Sequence, residues 1–187
     1  MAFLIQPVPG GKLKAVFLPL ALLLAARVPV AAQVFNEYEV KAAILYKFAG
    51  FVEWPRSPAG APFCIGVVGH DPFGPALDQA IQGKSINGRP FVVRRFKIGR
   101  DTGNCQIVFV DSSEKKELRE ILDRLRREPV LTVGDTPGFC EDGGIVNLEL
   151  ADSHVHFQIN PEAAELAGLV VSSKLLSLAS IVHGGTQ

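Results

Sequence analysis

Apolar positions fall into short, nearly unbroken runs at residues 63–68, 105–110 and 130–133, each bounded by proline, glycine or polar residues. Runs of this length predict strands covered on both faces, because a half-exposed strand alternates instead. Residues 91–96 predict a further strand with Arg94 and Arg95 near its end, after an Asn87-Gly88 turn. Residues 145–150 and 155–159 predict a hairpin turning at Asp152-Ser153.

Between the strands the period changes to that of helices. Asn36 followed by Glu39 has capping-box spacing, and Val40, Ala43, Ile44, Tyr46, Phe48 and Phe51 then predict one amphipathic helix that ends at Pro55. Asp71-Pro72 is expected to open a short helix closed by Gly83, with Asp71 as its cap. Ser112-Ser113 is expected to cap a helix whose apolar stripe is Leu118, Ile121, Leu122 and Leu125 and whose other face is charged and solvated. Pro161 opens another helix, ending near Gly168. Ser172-Ser173 caps a last one carrying Leu175, Leu176, Leu178 and Ile181. The alternation of strands and helices predicts an α/β fold: one domain with a mixed, partly parallel β-sheet flanked by helices on both faces.

The N-terminus changes the picture. Lys12 and Lys14 precede an apolar run at residues 15–26, and Val30-Ala31-Ala32 has the small residues that signal peptidase accepts. The run contains Pro19 and stops at Arg27, well short of the ~20 apolar residues a spanning helix needs. Residues 1–32 are therefore read as a cleaved signal peptide, in preference to a retained anchor, and residues 33–187 as the exported domain. Export removes three bases and no acid, which leaves 16 bases against 19 acids. That balance offers nothing to nucleic acid or to an anionic membrane surface. Three cysteines, Cys64, Cys105 and Cys140, would then fold in an oxidising compartment with one left over, and their spacing matches no zinc pattern.

Catalysis finds no foothold. There is no G-x-S-x-G elbow, and both serine pairs stand where helix caps belong. His70-Asp71 follows a strand at its carboxyl end, where ligands bind in open α/β sheets, but Gly66, Gly69 and Gly74 do not form a dinucleotide fingerprint. His154 and His156 share one strand face without a third ligand, and read as solvent-side residues. Trp54, the sole tryptophan, is either a binding-surface aromatic or ordinary core. No catalytic residue, cofactor or metal is expected.

The run EYEVKAAILYKFAGFVEWP at residues 37–55 resembles the opening helix of the YfiR family of periplasmic regulators. The likeness continues through CIGVVGHDPFG, the Gly88-Arg89-Pro90 turn, CQIVFVDSSE, PVLTVGDTPGF, GGIVNLEL and HVHFQINPEAAELAGLVVSSKLL, in family order. The resemblance implies an α/β protein, often dimeric, that binds the periplasmic sensor region of an inner-membrane diguanylate cyclase and keeps it inactive. It also implies a disulfide between Cys64 and Cys105. The partner that some relatives supply for Cys140 is missing near Asn147, so Cys140 is expected to be a free or intermolecular thiol. Some relatives bind small ligands near the end of the first helix and the start of the last. Glu53, Trp54, Ser172 and Ser173 occupy that stretch here without the basic and histidine residues of those sites, and are expected to form a partner-binding patch. The alternative is a periplasmic small-molecule-binding module that feeds another membrane receptor.

Overall fold

In a computed structural model of the chain, residues 37–55, 60–97, 102 and 105–184 are described. They belong to one compact unit within Phe35–Gln187. The signal-peptide segment and the Asn36 cap lie outside the described residues.

The sheet is assembled around the apolar runs. Strands β2 (Phe63–Val68), β4 (Arg89–Phe96), β5 (Ile107–Val110) and β6 (Leu131–Gly134) lie parallel in the order β4-β2-β5-β6. β7 (Val146–Ala151) adds parallel to β6, and β8 (His154–Ile159) returns antiparallel to β7. The tight turn between them places Asp152 and Ser153 at φ of 50° and 60°, the backbone that a two-residue hairpin loop demands. Two-residue strands finish the edges, with β3 (Ser85–Ile86) beside β4 and β10 (Ser180–Ile181) beside β8. β1 (Val52–Glu53) and β9 (Val170–Val171) pair separately as a small antiparallel ribbon.

Period-two alternation divides the buried strands between two cores. Ile65, Val67, Ile107 and Phe109 face α1 (Glu37–Lys47), α2 (Pro75–Ile81), α4 (Pro161–Leu166) and α5 (Ser173–Leu176). Cys64, Val68, Val108 and Val110 face α3 (Leu118–Leu125), whose Leu118, Ile121, Leu122 and Leu125 are all buried. Helices therefore cover both faces, and the fold is α/β with a mixed sheet. Phe139 completes the second core by lying between Gly134 and Gly144, where a Cβ on either glycine would collide with its ring.

Five local expectations are corrected. The buried face of α1 is Lys41, Ala42 and Leu45, continued by Phe48, Ala49 and Val52, so the helix is rotated from the predicted stripe. Lys41 is only 2% exposed, because its ammonium bridges Asp135 (3.0 Å) and Glu37 (2.5 Å). The helix also stops at Lys47, and a single 3₁₀ turn (Phe48–Gly50) leads into β1 well before Pro55. Asp71 is not the cap of α2, which starts at Pro75. Its carboxylate instead accepts from Phe73 N (2.9 Å) and pairs with Arg95 (2.6 Å). Ser112-Ser113 does not cap α3. Asp111 caps a 3₁₀ turn (Ser112–Glu114) by accepting from Ser113 N (3.0 Å). Finally, α5 is one turn long, and Ile181 sits in β10 instead of on a helix.

Candidate partner-binding surface

The β1–β9 ribbon brings together residues from the two ends of the described chain. Val52 lies opposite Val171 and Glu53 opposite Val170, and Ser172 N donates to Phe51 O (2.9 Å). Glu53 lies in that ribbon, with Trp54 directly after β1 and Ser172 and Ser173 directly after β9. Their roles differ. Ser172 caps α5, its Oγ accepting from Leu175 N (3.3 Å). Trp54 is half-buried, its indole edge-on to Phe63 (5.2 Å between centroids) and its Nε1–H donating to Gln106 O (3.2 Å). The indole is thus a wedge between ribbon and sheet more than a free contact aromatic. Glu53 and Ser173 are exposed.

The sequence reading missed the apolar part of this surface. Val170 is 61% exposed at the centre of the ribbon. It is one of five large apolar side chains exposed among the described residues, and four of them (Leu166, Val170, Leu178 and Ile181) fall between α4 and β10. Periodicity could not reveal Val170, because a two-residue strand is too short to alternate.

The carboxyl ends of the parallel strands offer a second place to look. The order β4-β2-β5-β6 reverses direction between β2 and β5, the position at which open α/β sheets bind ligands. Here the chain fills it. Gly69 leaves β2 at φ 95°, and Glu114 and Ser113 lie so close that a Cβ on Gly69 would stand 2.6 Å from the Glu114 side chain. Ser113 Oγ also accepts from His70 N (3.2 Å) and donates to Glu114 Oε1 (3.2 Å). A phosphate approaching that crevice would meet the buried Glu114 carboxylate.

His154 and His156 are exposed on β8, and among the described residues no group of three metal-ligating side chains converges. Cys64 and Cys105 are joined, their Cα atoms 4.4 Å apart. Cys140 is a free thiol with no exposed surface, which excludes the intermolecular bond. Burial, reinforced by the Glu141 carboxylate, pushes its pKa up to about 12 from an ordinary 9.0. The thiol is therefore expected to ignore an aromatic disulfide reagent at pH 8 and to react stoichiometrically once denaturant unfolds the chain. A group with a raised folded pKa binds protons more tightly when folded. Its stabilisation is intact below pH 9 and is lost between pH 9 and about 12, by up to ~1.4 kcal/mol per pH unit. Cys140→Ala should flatten that part of the stability–pH curve, and an unchanged slope would refute the assignment.

A family model described as YfiR/HmsC-like matches residues 38–180, from the first turn of α1 to β10. Among solved structures, a conserved domain protein from Vibrio cholerae O1 biovar El Tor strain N16961 superposes with a TM-score of 0.53 at 12% identity, covering 77% of this chain and 59% of that one. At that identity the likeness is one of fold, and this chain spans about 59% of the length of the protein it matches. None of the described helices is long and apolar enough to cross a membrane. The family match takes in the β1–β9 ribbon and the eight-stranded sheet up to the first residue of β10, and the chain belongs to the YfiR/HmsC-like family.

Proposed function

We propose that the protein is a periplasmic repressor, exported by a cleaved signal peptide, that binds the sensor region of an inner-membrane diguanylate cyclase and lowers its cyclic di-GMP output. Family membership across residues 38–180 is the observation that carries this reading. Repression needs no catalysis by this chain. It requires only that the complex favour the inactive sensor conformation, and a hundredfold bias corresponds to about 2.7 kcal/mol of differential affinity.

The contact is assigned to the ribbon surface of Glu53, Trp54, Val170 and Ser173. Val170→Glu places a charge where an apolar contact would be desolvated, at a side chain already 61% exposed, so the fold should be spared. The variant is expected to lose co-purification with the cyclase sensor domain by at least about tenfold while its melting temperature stays within about 2 °C of wild type. In cells, deletion of the gene should raise cyclic di-GMP, and the wild-type gene but not the variant should restore the low level. Failure of the wild-type protein to contact any membrane cyclase sensor would overturn the reading.

A second reading, a small-molecule-binding module serving another receptor, has one observation in its favour. A groove of about 750 Å³ lies between α3 and α4, floored by Leu122, Leu125, Ile145 and Ala163. Volumes of that size hold drug-sized ligands. Native mass spectrometry of protein purified from the periplasm distinguishes the two, since this reading needs a bound small molecule.

A further inference from the structure

Among the described residues, most of the outer side of β4 is an uncovered sheet edge. β3 pairs only with Arg89 and Pro90, and among the described residues no strand lies beside residues 92–96 of β4. The direction of the backbone groups follows from two bonds. Phe96 O accepts from Gly69 N on the β2 side (3.1 Å), whereas Phe91 N donates outward to Lys84 O (3.3 Å). Since N–H and C=O of one strand residue point the same way, Val92, Arg94 and Phe96 bond inward and Val93 and Arg95 present their backbone groups outward. An edge of this kind is a template for another strand.

Its side chains select the strand. On the α3 face Val92 and Phe96 are half-buried against the core and flank exposed Arg94. On the other face Arg95 is already matched by Asp71 (2.6 Å) and Asp78 (2.5 Å). Arg94 and the adjoining Lys97 have no ion-pair partner among the described residues. A second copy added in the register that pairs Val93 with Arg95 would set Arg94 against its own image, and like charges facing across a strand pair are destabilising. An acidic side chain opposite Arg94, with apolar ones opposite Val92 and Phe96, satisfies the same positions.

We propose that the outer edge of β4 is a strand-addition site for an extended segment of a partner protein that carries an acidic residue between two apolar ones on one face. The backbone at Val93 and Arg95 supplies the hydrogen bonds, and Arg94 supplies the selection. The site is independent of the ribbon surface and of the cyclase reading.

Fluorescence anisotropy of two labelled heptapeptides, TVTETVT and TVTKTVT, on the full exported domain tests it. Saturable binding of the glutamate peptide, about tenfold or more tighter than of the lysine peptide and weakening with salt, is expected. Arg94→Glu should reverse the preference. Val93→Pro removes an N–H that makes no native bond, so it should abolish binding of both peptides while the domain still folds. No saturable binding, equal binding of the two peptides, or full binding by Val93→Pro would overturn the proposal. So would sedimentation showing a dimer that Val93→Pro dissolves, because the edge would then belong to a second copy.

Discussion

Asp135→Ala is expected to destabilise the domain by about 3–5 kcal/mol, the usual result of stranding one member of a buried ion pair. The Lys41 and Asp135 side chains are 3% and 5% exposed, and Asp135 Oδ2 accepts from both Lys41 Nζ (3.0 Å) and Tyr38 OH (3.0 Å). Removing the carboxylate leaves an ammonium in the core with only Glu37, itself 30% exposed, as counter-charge. Urea unfolding measures the loss, and a change below about 1 kcal/mol would show that the site hydrates or relaxes. The pair is not a net stabiliser of the same size. Among the described residues Asp135 Oδ1 finds no hydrogen-bond partner, so part of the attraction is offset by an unsatisfied oxygen. The triple variant Tyr38→Phe, Lys41→Met, Asp135→Leu should therefore recover most of the loss, since apolar replacement of a buried pair is often neutral or stabilising. The same interactions hold the Tyr38 phenol protonated well above its usual range, first by burial and then by Asp135. They also set the rotation of α1. The helix leads through Phe48 and Phe51 into β1.

What was legible in the sequence was whatever a local pattern decides. Residues 63–68 are apolar at nearly every position because β2 has neighbours on both edges and helices on both faces, and all six of its residues are buried. The stripe of α3 matched because its four leucine and isoleucine positions face a single core. Asp152-Ser153 was legible because few residue pairs tolerate that backbone. Lys41 defeated the same reasoning. A lysine counts as polar in any periodicity, and only Asp135, far along the chain, makes its burial tolerable. Asp71 and Ser113 resembled helix caps, yet tertiary neighbours claimed them: Arg95 in one case and the His70 backbone in the other. Two-residue strands carry no period at all, so the ribbon, β10 and the exposed Val170 emerged only from the fold. For the site, the four predicted residues lie in or directly after the two strands of the ribbon. Their chemistry was less legible, because Trp54 reaches Gln106 and Phe63 across the sheet.

Breaking the Cys64–Cys105 bond should be comparably costly. The bridge closes a span of 41 residues containing α2, β3 and β4. Chain entropy assigns a loop of that length about 4 kcal/mol, within the 2–5 kcal/mol commonly lost when a native bond is removed. For a domain of this size that corresponds to a fall in melting temperature of roughly 8–16 °C. The native fold should survive, because other bonds register β2 on β5. Gln106 N donates to Cys64 O (3.0 Å), and Cys64 N donates to Gln106 Oε1 (2.9 Å). The effect then lies mainly in the unfolded chain, which gains freedom when the cross-link is cut. Two signatures separate this from loss of packing. The urea m-value should rise on reduction, since the unlinked chain exposes more surface, and emission from the native protein should change little. The sole tryptophan is well placed to report the second, because Trp54 donates to the backbone of Gln106, next to Cys105. Buried Cys140 does not exchange with the pair in the native state, so Cys64→Ala/Cys105→Ala and reduced wild type should agree. If Trp54 emission shifts on reduction before unfolding begins, or the m-value does not rise, the bridge holds the native amino end of β5 in place and the entropic account fails.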